Sequence, residues 1–157
     1  MTISPSSLTP MAAIPPILEP GEILVSDGTN DAEFLWRQVH PIYVDGNGRV
    51  TEQAFQPNSS DKRRLSCSRG NGQTPEGAHD FHTQVLGLAS AGTWGVLIGE
   101  VRQEQVHAVD DSQVQKQDPP TPGHTYVDYR GLDKNGRAFV RDALADYANE
   151  HKVQYAP

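Results

Sequence analysis

The alternation of apolar and polar positions is strongest over residues 74–101, TPEGAHDFHTQVLGLASAGTWGVLIGEV. Ala78, Phe81, Val85 and Leu88 recur at steps of three, four and three, one face of a 3.6-residue period, and Leu86 and Ala89 widen that stripe. Thr74 suits an N-cap, Pro75 suits the first helical position where a missing N–H is harmless, and Glu76 meets the positive end of the helix dipole. The pattern predicts a helix starting at Thr74. Ala91 and Gly92 break it, and 94–101 is then a mostly apolar run flanked by glycine, which predicts a central strand ending at Glu100 and Val101.

Elsewhere the patterns are shorter. Residues 22–26 (EILVS) predict a first strand, followed by a loop over 27–31. In 33–41 (EFLWRQVHP) the spacing of Asn30 and Glu33 fits a helix capping box, whereas Leu35, Arg37 and Val39 alternate with Phe34, Trp36 and Gln38. Aromatic and β-branched content, with Pro41 closing the segment, favours the strand. Asp45-Gly46-Asn47-Gly48 supplies the positive φ values of a tight turn and predicts a β-hairpin between 42–44 and 49–51. Phe55 in 53–57 is assigned to the core, 58–64 to a polar loop, 65–69 (LSCSR) to a strand and 70–73 to a flexible turn.

Residues 105–109 predict a strand after a turn at 102–104, and 110–123, with three prolines and no apolar period, a long exposed loop. His124 to Tyr129 alternates, with Thr125, Val127 and Tyr129 as the inward set. Asp133 or Asn135 can cap a C-terminal helix whose Val140, Leu144, Tyr147 and His151 form a stripe supported by Phe139 and Ala143. Strands before and after helices, without βαβ alternation, predict an α+β fold: a mainly antiparallel twisted sheet packed against two amphipathic helices. The expected organisation is a flexible Pro/Ser-rich arm over 1–20, a single domain over 21–152 and a tail over 153–157.

Composition adjusts this picture modestly. At 157 residues the chain can bury a core without disulfides or a structural metal. Its apolar fraction is 36%, under the roughly 45–50% usual in globular chains, so the polar excess falls to loops and tail. Twenty acidic against 13 basic residues give a net charge of −7, which disfavours a nucleic-acid surface. The basic run Lys62, Arg63 and Arg64, with Arg69 after it, reads as a solvated loop offering at most a local anion contact. A lone Cys67 excludes an internal disulfide and fits a reducing compartment. The proline-interrupted first 22 residues fit neither a signal peptide nor a membrane span, and the expectation is a cytoplasmic protein.

Candidate chemistry is sparse. His79 and His82, three apart with Asp80 between them, would be neighbours on a helix, with Cys67, His107 and His124 as distant further ligands. None of the familiar zinc spacings is present, and exposed structural histidines are the better account; no metal or cofactor is expected. The turn Gly70 to Gly72, beside Arg69 and ahead of a helix, is a candidate anion cradle, although it lacks the lysine and spacing of a P-loop. No Gly-x-Ser-x-Gly elbow occurs, and Cys67 reads as a small buried side chain.

Arg37, Ser66, Ser68 and Glu100, in that order, resemble the Arg, Ser-x-Ser, Glu pattern of one branch of the ADP-ribosyltransferases. The resemblance implies that the arginine holds cofactor phosphates, the serine strand shapes a nicotinamide pocket and the glutamate stabilises a developing sugar cation; His40, outside that pattern, is a candidate helper. Ile98 stands where that family has a second Gln or Glu. A broader likeness, carried by LWRQVHP, QAF with Pro57, LSCSRG and the helix opening TPE over 34–101, is to small bacterial proteins of no assigned role. Two functional expectations result. The first is a non-enzymatic accessory protein whose Pro-rich arm and long Pro-rich loop are available to a protein partner, with Trp36, Tyr43 and Trp94 as anchors if exposed, although Trp94 is better read as buried core. The alternative is an NAD-using transferase built on Arg37, Ser66, Ser68 and Glu100.

Overall fold

A computed structural model of the chain describes residues 14–58 and 62–157. The expected arm over 1–13 and the loop centre at 59–61 lie outside the described residues. Six strands, β1 (Ile23–Leu24), β2 (Phe34–Val39), β3 (Arg64–Arg69), β4 (Gly92–Leu97), β5 (His107–Asp110) and β6 (His124–Asp128), form one sheet in the order β1-β5-β6-β3-β2-β4. Every pairing is antiparallel. With helices α1 (Pro75–Asp80), α2 (Ile98–Gln103) and α3 (Lys134–His151), the fold is α+β.

The predicted strands outside the 42–51 hairpin are present, and β2 is a strand despite its capping-box spacing. β4, however, is an edge strand and ends at Leu97, not at Val101. The chain leaving it is captured by the segment before β2: Ile98 N–H donates to the Glu33 carbonyl at 2.9 Å and Gly99 N–H to the Asp31 carbonyl at 3.0 Å. Glu100 then turns back and accepts from the Leu97 N–H at 2.7 Å, which starts α2. Ile98 and Val101, both at 0% exposure, face the core from one side of that helix. An apolar run of this length fits a strand or a helix equally, and local backbone capture selects the helix here.

The outer edge of β4 is paired by the C-terminal segment. Thr93 bridges Tyr155, with Thr93 N–H donating to the Tyr155 carbonyl and Gln154 N–H to the Thr93 carbonyl, both at 2.8 Å. The expected tail is thus part of the sheet. Residues from Ile14 onward are also placed on the domain, with Arg130 reaching the Ile17 carbonyl and His107 the Ile14 carbonyl.

One sheet face carries the main core. Leu35, Val39, Leu65, Trp94, Val96 and Val127 join Val140, Leu144, Ala145 and Ala148 of α3 in a single cluster. Asp133 caps α3 by accepting from the Gly136 N–H at 2.7 Å. Phe139, expected to support the stripe, is 69% exposed; the inward face instead runs through the two alanines. Trp94 is buried in the core, as expected, and Trp36 is buried too, so it is not an exposed anchor.

The predicted hairpin at 45–48 forms only its turn. Asp45 accepts from the Asn47 and Arg49 N–H groups, while Pro41–Tyr43 is a 3-10 helix and a single Val44–Val50 bridge replaces the two strands. On β6 both side-chain sets are buried, Tyr126 at 1% as well as Val127, because the second face of the sheet is covered too. The guanidinium groups of Arg64 and Arg130 lie over the Tyr126 ring at 5.1 and 5.8 Å.

Candidate functional site

The second sheet face positions a cleft. Its floor comes from pleat-mates on three adjacent strands, since Trp36 is paired with Ser68, Ser68 with His124 and Ser66 with Tyr126. α1 roofs one side. Thr74 caps it by accepting from the Gly77 N–H at 2.9 Å, as its sequence predicts. After Asp80 the helix widens into a π-helical turn, Phe81–Val85, with Leu86 N–H donating to the Phe81 carbonyl at 3.0 Å. The wider turn shifts the expected apolar stripe. Ala78 is buried, but Val85 and Leu88 are each 52% exposed, while Phe81, His82 and Leu86 line the cleft.

The cleft has a volume of about 260 Å³ and also meets Gln117 and Thr121 of the 111–123 loop. That loop, expected to be merely exposed, is tied down: Asp111 accepts from His124, and Gln115 exchanges hydrogen bonds with the backbone of Thr121. Trp36 forms a wall, its indole N–H donating to the Gln73 carbonyl at 2.7 Å and its ring stacked on Phe34 at 4.9 Å.

Arg37 enters where the sheet opens. β2 and β3 pair only at Leu35–Arg69 and Trp36–Ser68, whereas β2 and β4 remain paired to Val39. Into the resulting gap the Arg37 side chain donates from Nε to the Ala54 carbonyl at 2.9 Å and from Nη1 to the Ser66 carbonyl at 2.8 Å. It satisfies acceptors that a neighbouring strand would otherwise take. Among the described residues no carboxylate forms an ion pair with Arg37, and its Nη2 has no hydrogen-bond partner.

Among the described residues the cleft lining contains no aspartate or glutamate. His124, the second basic group, is paired with Asp111. His82, the third, has its pKa lowered by burial and then by the Arg37 charge, against the raising effect of a hydrogen bond to the Ala89 backbone. The Ser66 and Ser68 hydroxyls have no hydrogen-bond partner among the described residues, and Ser68 is 7% exposed.

The structure therefore brings together Arg37, Ser66 and Ser68 and leaves Glu100 elsewhere. The Glu100 carboxylate is occupied by the Leu97 N–H and by His151, whose Nε2 lies 3.0 Å from both oxygens. Cys67 belongs to the core cluster, and burial raises its thiol to about 11, so it is a protonated packing residue. His40 is exposed and caps the following 3-10 helix.

The other expected features resolve differently. His79 and His82 diverge, since His79 packs on Tyr155 with ring centroids 5.2 Å apart and lies 3.3 Å from the Ser90 carbonyl. Among the described residues no group of three His, Cys, Asp or Glu side chains is arranged to hold a metal ion. The cradle at Arg69, Gly70 and Gly72 is filled from within: Glu33 takes the Arg69 Nε at 2.8 Å and the Asn71 N–H at 3.2 Å, and Asp110 takes Nη1 at 3.2 Å. Lys62 and Arg63 are exposed in left-handed conformations, whereas Arg64 covers Tyr126. No helix among the described residues is long and apolar enough to cross a membrane.

The signal that sequence reasoning missed is the cleft's α1 wall. Phe81, His82 and Leu86 come to it only through the π-helical turn, which no residue pattern announces. Comparison of the chain with models of protein families, with curated proteins and with solved structures finds no match in any of the three.

Proposed function

We propose that the chain is a non-enzymatic accessory protein that recognises a protein partner at the cleft between α1 and the sheet. The observation that carries this reading is the pairing of a cationic floor, with no carboxylate among its described residues, with an apolar rim where Leu88 stands out at 52% exposure. Exposed aliphatics beside a concavity are how partner surfaces are marked, and a single guanidinium at the floor gives such a contact direction. The lining offers no pair of acid and base groups.

The alternative, an ADP-ribosyltransferase-like enzyme, retains Arg37, Ser66 and Ser68 in one place but has no carboxylate there among the described residues to stabilise a sugar cation. It is the less supported reading, and incubation with labelled NAD is expected to give neither hydrolysis nor automodification.

The partner reading is tested with a photo-crosslinking amino acid, p-benzoylphenylalanine, in place of Leu88, and separately in place of the equally protruding Phe139 on α3, in the cells that make the protein. A discrete adduct at position 88 and none of that mass at 139 is the expected result. Identical adduct patterns at both positions, or none at 88, would contradict the reading.

A further inference from the structure

The chemistry of the cleft narrows what the partner must present. Arg37 has committed Nε and Nη1 to main-chain carbonyls, leaving Nη2 as its one donor nitrogen without a partner. Ser66 and Ser68 add two unpartnered hydroxyls on the same floor, the second of them 93% buried by virtue of its 7% exposure. None of the three is sealed from solvent, so a ligand entering the cleft can displace their water and complete them. Arg37 is the one permanently charged cation on the lining, and no carboxylate among the described lining residues opposes it. One carboxylate matches that charge, while a doubly charged phosphate would leave excess negative charge in a buried site.

The walls then specify what carries the carboxylate. Trp36, Phe81, Leu86 and Leu88 are apolar, and about 260 Å³ is below the roughly 300–1,000 Å³ of sites for larger ligands, so the space suits one residue-sized body. A chain terminus places a carboxylate and an apolar side chain on the same Cα, whereas an internal acidic residue would need room for main chain on both sides. We infer that the cleft binds the C-terminal carboxylate of a partner chain whose last residue is apolar or aromatic, with Arg37 Nη2 donating to one oxygen and the Ser66 and Ser68 hydroxyls to the other. This rests on the partner reading above and supplies the group recognised.

The probe is N-acetyl-phenylalanine, titrated into the full chain by calorimetry beside its primary amide, acetate and inorganic phosphate. The acid is expected to bind saturably, and the amide at least about tenfold more weakly, the change expected when about 1.4 kcal/mol of charge-assisted bonding is lost. Acetate, lacking the apolar body, should bind more weakly than the acid, and phosphate should not compete. Because Arg37 also bridges β2 and β3, the mutational arm is Ser66→Ala with Ser68→Ala, which removes no hydrogen bond of the fold and should weaken the acid several-fold without affecting the amide.

An independent reading comes from the His82 imidazole, whose titration followed by NMR should move to higher pH when the acid is bound, since a nearby anion favours the charged ring. Equal binding of acid and amide, no binding of either, tighter binding of phosphate, or an unmoved His82 titration would each overturn the inference. Binding of the acid without an adduct at position 88 would uphold the carboxylate chemistry and remove the partner. An adduct at 88 with acid and amide binding alike would do the reverse.

Discussion

At the scale of single residues, charges are placed by pairing, and their consequences can be measured. Burial alone would raise the Asp110 carboxyl, but hydrogen bonds from Ser112 and Arg69, with the Arg69 charge, hold it below its ordinary value. A carboxyl depressed in the folded state stabilises the fold above its unfolded value of 3.8, and that contribution is lost as pH falls through the folded value. Asp110→Asn should therefore cost about 1.5–3 kcal/mol in urea unfolding at pH 7, and the difference from the parent should shrink below pH 3.8. A pH-independent difference would contradict this assignment. Arg69 illustrates what the residues alone do not reveal. Its glycine turn has the composition of an anion site, but whether that site is open depends on Glu33, 36 positions away, which reaches it only once β2 and β3 pair.

At the scale of elements, short-range patterns were legible where a segment is governed by its own residues. The Thr74 and Asp133 caps, the alternation of β2 and the Asp45 turn all depend on neighbours within four positions, and all are present. The end of β4, the π-helical turn after α1 and the splay filled by Arg37 depend on distant backbone groups, and none has a local signature. The close fit of β4 against β2 gives a sharp test. A Cβ on Gly95 would lie 2.7 Å from the Trp36 ring and 2.8 Å from the Phe34 ring. Gly95→Ala should destabilise the fold by about 1–3 kcal/mol and change the near-ultraviolet signal of the stacked pair; parental stability with an unchanged signal would show that the rings can yield. Glu100→Ala, by uncapping α2 and releasing His151, should cost about 1–2 kcal/mol in the same assay.

At the scale of the whole molecule, the sheet has two working faces. One is closed by α3 over the main core; the other is divided between the arginine-covered Tyr126 and the cleft beneath α1. The α+β class was readable from the order of strands and helices, because alternation and periodicity reflect burial. The strand order was not readable, since pairing joins segments as distant as residues 23 and 110. The last residues guard the open edge. Removing 153–157 would strip the Thr93 N–H and carbonyl of their partners and expose β4, and the shortened chain should self-associate in light scattering where the full chain does not; equal behaviour of the two would contradict a protective role.

The central claim is that Arg37 holds a donor in reserve for a partner's carboxylate. The measurement that meets it most directly is NMR of the Arg37 guanidinium during addition of N-acetyl-phenylalanine, with the side-chain Nη signals assigned. The account predicts a saturable downfield shift of the Nη2 protons, with little change at the backbone-bound Nε and none on adding the amide. Shifts confined to other arginines, or equal effects of acid and amide at Arg37, would contradict it.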